Sequence, residues 1–106
     1  MPTKKMLGEF EQLVLLGCLR LEERACTPEV MEEIRRRTGR DVSHAAVYIA
    51  LRRMEKRGLV RSKLGQPSPE PGGRAKRYFT VLPAARQLLE ESRRSLLRMW
   101  EGVESP

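Results

Sequence analysis

At 106 residues, with 40% hydrophobic and 33% charged residues, the chain has room for one domain around one small core. The charged fraction argues against a membrane protein, as does an apolar run around Leu13 to Leu21 that is far too short to span a bilayer. The start MPTKKMLGEF has no long apolar segment of the signal-peptide kind, so the chain reads as cytoplasmic. A net charge of +7 and a pI of about 10.1 point to a polyanionic partner, without choosing among DNA, RNA and an anionic membrane.

The distribution of charge says more than its total. From Arg35 to Arg77 there are thirteen basic and three acidic residues, a net +10; the remainder holds eight basic and eleven acidic residues, a net −3. The positive field is therefore expected on one part of the fold and not as a general solvated surface. Neither Cys18 nor Cys26 has a C-x-x-C partner, and the single histidine, His44, is distant in sequence, so no metal site is expected. No phosphate-binding glycine loop or nucleophile elbow occurs, and adjacent Ser43 and His44 in a helix cap are poorly placed to pair as nucleophile and base. An enzyme is not expected, and neither catalytic residues nor a cofactor are assigned.

In chain order, Met1 to Lys5 is a basic tail. From about Gly8 to Leu21, Phe10, Leu13, Val14, Gly17, Cys18 and Leu21 follow helical spacing, and Leu15, Leu16 and Leu19 widen the apolar face almost all the way round. Such a helix needs cover on two sides, which makes a second subunit the natural partner. Cys18 reads as a small core residue, Cys26 as partly exposed at a helix boundary. Thr27 is expected to cap the second helix with Pro28 at its first position, Glu29, Glu32 and Glu33 near the start and Arg35, Arg36 and Arg37 near the end. Val30, Met31 and Ile34 form its inward stripe, and Gly39 closes it.

Ser43 caps a third helix that runs to about Arg57 and stops at Gly58. At 100° per residue, Val47, Ala50, Leu51 and Met54 share one side; Ala45, Ile49, Arg52 and Lys56 lie opposite, with Tyr48 and Arg53 on the flanks. Small and apolar side chains followed by arginine suit a DNA groove, where the former meet thymine methyls and the latter reaches phosphate or guanine. Leu59 to Leu64 and Arg77 to Val81 read as two strands joined by a Gly/Pro-rich tip. A helix followed at once by a basic hairpin is the arrangement of a winged helix-turn-helix, so the fold is expected to be mainly α with a small β-hairpin. Pro83 opens a last helix with apolar positions Ala85, Leu88, Leu89, Leu96, Met99 and Trp100, interrupted by Ser92.

These readings assign Ser43, His44, Ala45, Tyr48 and Ile49 to base edges or nearby phosphates, Arg52 and Arg53 to phosphates, and Lys63, Arg74 and Lys76 to wing contacts with double-stranded DNA. Phe10, Leu13, Leu16, Leu88, Leu89, Leu96, Met99 and Trp100 are assigned to a homodimer interface. The expected division is residues 1–82 as the DNA-binding domain and 83–106 as a dimerisation helix. The rival class is a sequence-tolerant architectural DNA- or RNA-binding protein, which equal affinity for any duplex would distinguish.

LGEFEQLVLLGCLRL, TGRDVSHAAVYIALRRMEKRGLVRS, GGRAKRYFTVLPAARQLL and the terminal RMWEGV together resemble the PadR family of bacterial winged-helix regulators, in order and over nearly the whole chain. The resemblance implies a homodimeric transcriptional regulator, usually a repressor, that binds an inverted-repeat operator through this fold and dimerises through its first and last helices. Some members bind flat aromatic compounds at the dimer interface beside a tryptophan. A small aromatic effector near Trp100 is therefore part of what the resemblance implies, whereas the residues alone make Trp100 an apolar anchor of that interface. Two positions depart from the family pattern: Thr27-Pro28 stands where relatives carry an Ala-Tyr-Gly type of segment, and Ala85 where they often have glycine.

Overall fold

In the computed structural model, residues 5–66 and 75–103 are described. The first helix, α1 (Glu9–Leu21), starts behind an extended Gly8 whose N–H donates to the Glu11 carboxylate at 2.9 Å, satisfying one donor at the helix end. It faces inward with Val14, Leu15, Gly17, Cys18 and Leu21, while Phe10, Leu13 and Leu19 are partly covered and Leu16 is exposed. Gly17 allows close approach of the next helix: a Cβ there would stand 3.3 Å from Cγ1 of Val30. A single 3-10 turn, Glu22–Arg24, leads to Ala25 and Cys26.

The second helix, α2 (Thr27–Thr38), begins one residue earlier than its sequence suggests. Cys26 is the extended capping residue, without a side-chain cap, Thr27 is already helical and buried, and Pro28 follows it. Burial explains the shift. Cys26 is fully covered and not partly exposed as expected, because it forms an antiparallel bridge with Tyr78 while Ala25 O accepts the N–H of Phe79 at 2.8 Å. Gly39, at φ 76°, closes α2 in the left-handed conformation that glycine adopts without strain.

Helix α3 (His44–Lys56) buries Val47, Ala50, Leu51 and Met54, the side its periodicity selects. Strand β1 (Val60–Leu64) pairs antiparallel with β2 (Arg77–Val81) in the register Val60↔Val81 to Leu64↔Arg77; Leu59, expected in the strand, is instead a core residue just before it. The hairpin puts Val60 and Phe79 into the core and turns Arg61, Lys63, Tyr78 and Thr80 to its other face. Full burial of a side chain such as Leu51 or Phe79 contributes roughly 1.5–3 kcal/mol, so this shared core holds helices and wing together.

The last helix, α4 (Pro83–Trp100), divides at Ser92. Ala85, Leu88, Leu89 and Ser92 are buried, the first three in the same core as α1 to α3; from Arg93 to Val103 every residue is exposed. Leu88 and Leu89, assigned from sequence to a subunit interface, are 7% and 8% exposed within the single chain.

Ion pairs set the outer geometry. Arg57 joins the end of α3 to the start of α1 through Glu11 at 3.4 Å and the Lys5 carbonyl at 3.1 Å. Glu33 on α2 takes hydrogen bonds from Arg36, from Arg20 of α1 at 2.8 Å and from Arg37 at 3.2 Å. The Arg36 and Arg20 guanidiniums hold its carboxyl below the usual range, against the opposing effect of burial. A carboxyl with a depressed folded-state pKa stabilises fully above the unfolded value of about 4.3 and loses that contribution as pH falls through the folded value. Glu33→Gln should therefore lower the urea midpoint at pH 6, and the difference from the parent should narrow towards pH 3. An equal difference at both pH values would show that the charge of Glu33 is not what stabilises the α1–α2 contact.

Candidate nucleic-acid interface

The side of α3 opposite its buried stripe carries the candidate contacts. Ser43, His44, Ala45, Tyr48, Ile49 and Arg53 are exposed, and Arg52 is half-buried. The Oγ of Ser43 accepts the N–H of Ala46 at 3.0 Å, so this side chain caps the helix and stands at its positive end. His44 and Tyr48, one helical turn apart, stack with ring centroids 6.5 Å apart and planes at 18°. One turn further on, Cζ of Arg52 lies 5.9 Å from the Tyr48 ring centroid, within cation–π reach. His44, Tyr48 and Arg52 thus form one stacked stripe along the outer face, with Ala45 and Ile49 beside it. Tyr48 takes these ring contacts from its own helix and is 38% exposed.

The wing supplies further positive charge. Lys63 and Arg61 are exposed on the face away from Phe79, and Lys76 is exposed at the foot of β2, where its carbonyl accepts the N–H of Gly65 at 2.7 Å. A Cβ at Gly65 would stand 2.7 Å from the Tyr78 ring, so the chain leaves β1 there only because no side chain is present. Arg74, assigned to the wing contacts, lies outside the described residues, as does the tip Pro67–Gly73.

Three residues absent from the sequence assignment connect helix and wing. Glu55 lies 3.4 Å from Nη1 of Arg52 and accepts the hydroxyl of Ser62 on β1 at 2.7 Å; Nη1 of Arg77 on β2 donates to the same hydroxyl at 3.0 Å. The signal was present as a lone acid in a basic stretch, but its partners become visible only once the hairpin folds beneath α3.

Both cysteines are free and buried, and burial, with Cys26 nearby, pushes the Cys18 thiol up to about 12. A thiol so held stays protonated and unreactive at neutral pH. Among the described residues there is no group of three or more His, Cys, Asp or Glu that could hold a metal, and no helix is long and apolar enough to cross a membrane.

Of the expected interface residues, Phe10 and Leu13 are partly buried against the core, and Leu16 is exposed. Leu13 and Leu16, with Gly17 and Ile34, line a groove of about 270 Å³ between α1 and α2. Leu96, Met99 and Trp100 stand free on the outer half of α4, Met99 at 76% and Trp100 at 57% exposure.

The model of the transcriptional regulator PadR-like family matches residues 15–91, from the middle of α1 through α2, α3 and both strands to Glu91 in α4. The chain belongs to the PadR-like family of transcriptional regulators. That is a family of regulators and not of enzymes. Among solved structures, this PadR-like chain is similar to a PadR family transcription regulator from Clostridium difficile, with 23% identity, a TM-score of 0.63 and 91% of each chain covered. A PadR-like transcriptional regulator from Bacillus cereus superposes with a TM-score of 0.68 at 23% identity, over 89% of this chain and 86% of that one. A winged-helix DNA-binding protein of STIV superposes with a TM-score of 0.66 at 16% identity, over 87% of this chain and 91% of that one. At these identities the superpositions show the fold, a winged helix-turn-helix. No curated protein matches the chain in sequence.

Because Ser43 caps α3, its replacement carries a stability cost separate from any DNA contact. Ser43→Ala should destabilise the folded protein by about 0.5–2 kcal/mol in urea unfolding, and Ser43→Asp should restore most of it. Unchanged stability in the alanine variant would remove the cap from the account of how α3 is placed.

Proposed function

We propose that this PadR-like chain is a cytoplasmic repressor that binds an inverted-repeat DNA operator as a homodimer. The observation that carries the reading is the stacked His44–Tyr48–Arg52 stripe on the exposed side of α3, beside Ala45 and Ile49 and next to a basic hairpin. Rings and small apolar groups suit base edges in the major groove, whereas Arg52, Arg53, Lys63, Arg74 and Lys76 suit phosphates, with Ser43 at the helix terminus. Bound at a promoter, such a protein represses by occupying the duplex that polymerase needs.

The dimer is supported by the apolar surface that the single chain leaves uncovered. Leu16, Leu96, Met99 and Trp100 are exposed, and so are Leu97 and Val103. Residues 83–106 serve as the dimerisation segment: the buried half of α4 anchors it to residues 1–82 and the free half meets a second copy, together with Phe10 and Leu13 of α1. Leu88 and Leu89, packed inward, support that segment from below. A two-fold interface closes at two subunits and pairs two α3 helices for major grooves about 34–36 Å apart, or a multiple of that. Trp100, the one tryptophan of the chain, also offers a stacking surface to a flat aromatic effector.

Footprinting on the promoter of its own gene tests the reading, since a palindromic protected site separates a regulator from an architectural protein that binds every duplex alike. Arg52→Ala should weaken binding to operator and unrelated duplex together and lower the salt slope by about one unit; an unchanged slope would take Arg52 off the phosphate contacts. A chain ending at Ser92 keeps the core residues Ala85, Leu88 and Leu89 but loses the free half of α4. In sedimentation it should be a folded monomer with greatly weakened binding to the full site. A dimer of that truncated chain would place the subunit interface elsewhere.

A further inference from the structure

Between Val42 and Gln66, and again from Ala75 to Val81, Glu55 is the one acidic residue, set among eight lysines and arginines. On a face that approaches a polyanion, a carboxylate is a cost: it repels phosphate and offsets one of the cations that release counterions from DNA. Its contacts supply the compensation. One oxygen lies 3.4 Å from Arg52, at the end of the stacked stripe, and the other accepts the hydroxyl of Ser62 at 2.7 Å. Ser62 sits on the inner face of β1, opposite Phe79, and accepts from Arg77 at 3.0 Å. A guanidinium only donates, so the Ser62 proton must point to Glu55, and the polarity of the whole series is fixed. Glu55 is largely covered, its side chain 29% exposed, which strengthens each of these bonds relative to water.

We infer that Glu55 is a positioning residue that locks the reading helix and the wing into one geometry, so that the basic wing grips phosphate only where α3 is correctly seated on its bases. The inference rests on the DNA-binding reading and deepens it by naming what makes the two elements act together. The series His44–Tyr48–Arg52–Glu55–Ser62–Arg77 is continuous from the start of α3 to the first residue of β2. Within it Arg52 is held by Tyr48 and Glu55 before any DNA arrives, so less side-chain freedom is lost on binding. Without the lock, wing and helix find phosphates independently, which favours any duplex as much as the operator.

This sets positioning apart from charge. Were Glu55 only a negative charge, Glu55→Ala, which removes both the charge and the acceptor for Ser62, would tighten binding to operator and unrelated duplex in equal measure. As a positioning residue, its loss tightens binding to unrelated duplex and lowers the preference for operator by about tenfold, the size of one lost specific contact. Ser62→Ala leaves every charge in place while cutting the link to the wing, and should lower the preference by a similar factor with no change in the salt slope.

The experiment measures operator and unrelated-duplex affinities for the parent and both variants across a salt series, with thermal unfolding of each. Reduced preference in both variants, with parent-like unfolding in at least one, is the expected result. A discriminating parent whose Ser62→Ala variant keeps its full preference, or whose Glu55→Ala variant tightens on both duplexes alike, overturns this inference and leaves the DNA-binding reading standing. A parent that prefers no duplex sequence overturns that reading, and this inference with it.

Discussion

The burial of Val47, Leu51 and Met54 beneath α3 is the constraint on which the remaining geometry depends. A helix repeats every 3.6 residues, so once one side is committed to a core the opposite side is committed to solvent. Here that opposite side carries His44, Tyr48, Ile49 and Arg52. The same core takes Phe79 and Val60 from the hairpin, so the wing cannot move far from α3 without exposing them. The N–H of Phe79 on Ala25 O adds a directional tie, because it fastens β2 to the connection between α1 and α2.

Charges are arranged on two levels. Glu33, with Arg20, Arg36 and Arg37, and Glu11, with Arg57, hold helices to one another. Much of the positive charge near these sites is therefore occupied internally. Among the described residues, Lys63 and Lys76 of the wing and Arg53 of α3 are exposed and carry none of these pairs. Exposed pairs contribute little to stability, but a free cation on a rigid element contributes to long-range attraction and to the salt dependence of association.

Helix α4 serves two environments along one continuous backbone. An 18-residue helix is about 27 Å long, too long to be covered by so small a core. Its first half puts Ala85, Leu88 and Leu89 into the shared core, and its second half leaves the domain with Leu96, Met99 and Trp100 uncovered. An isolated helix end of this kind is marginal in water, since most helical stability comes from packing an apolar face. That is the physical reason to expect the free half to be covered in the working protein.

The sequence alone determined what depends on neighbours along the chain. Ser43 as the cap of α3, Gly39 and Gly58 as stops, the buried set Val47, Ala50, Leu51 and Met54, and the strand Arg77–Val81 all follow from local geometry and periodicity; the family resemblance, which the family match bears out, rests instead on the order and wording of motifs along the chain. The tertiary structure decided what joins residues remote in sequence. Cys26 is buried, and Thr27 helical, because β2 crosses beside them. Glu55 meets Ser62 and Arg77 because the hairpin folds under α3, and Glu33 meets Arg20 because Gly17 lets two helices approach. The division of α4 at Ser92 was hidden for the same reason: periodicity shows which residues share a face, but not where along the helix the cover for that face comes to an end.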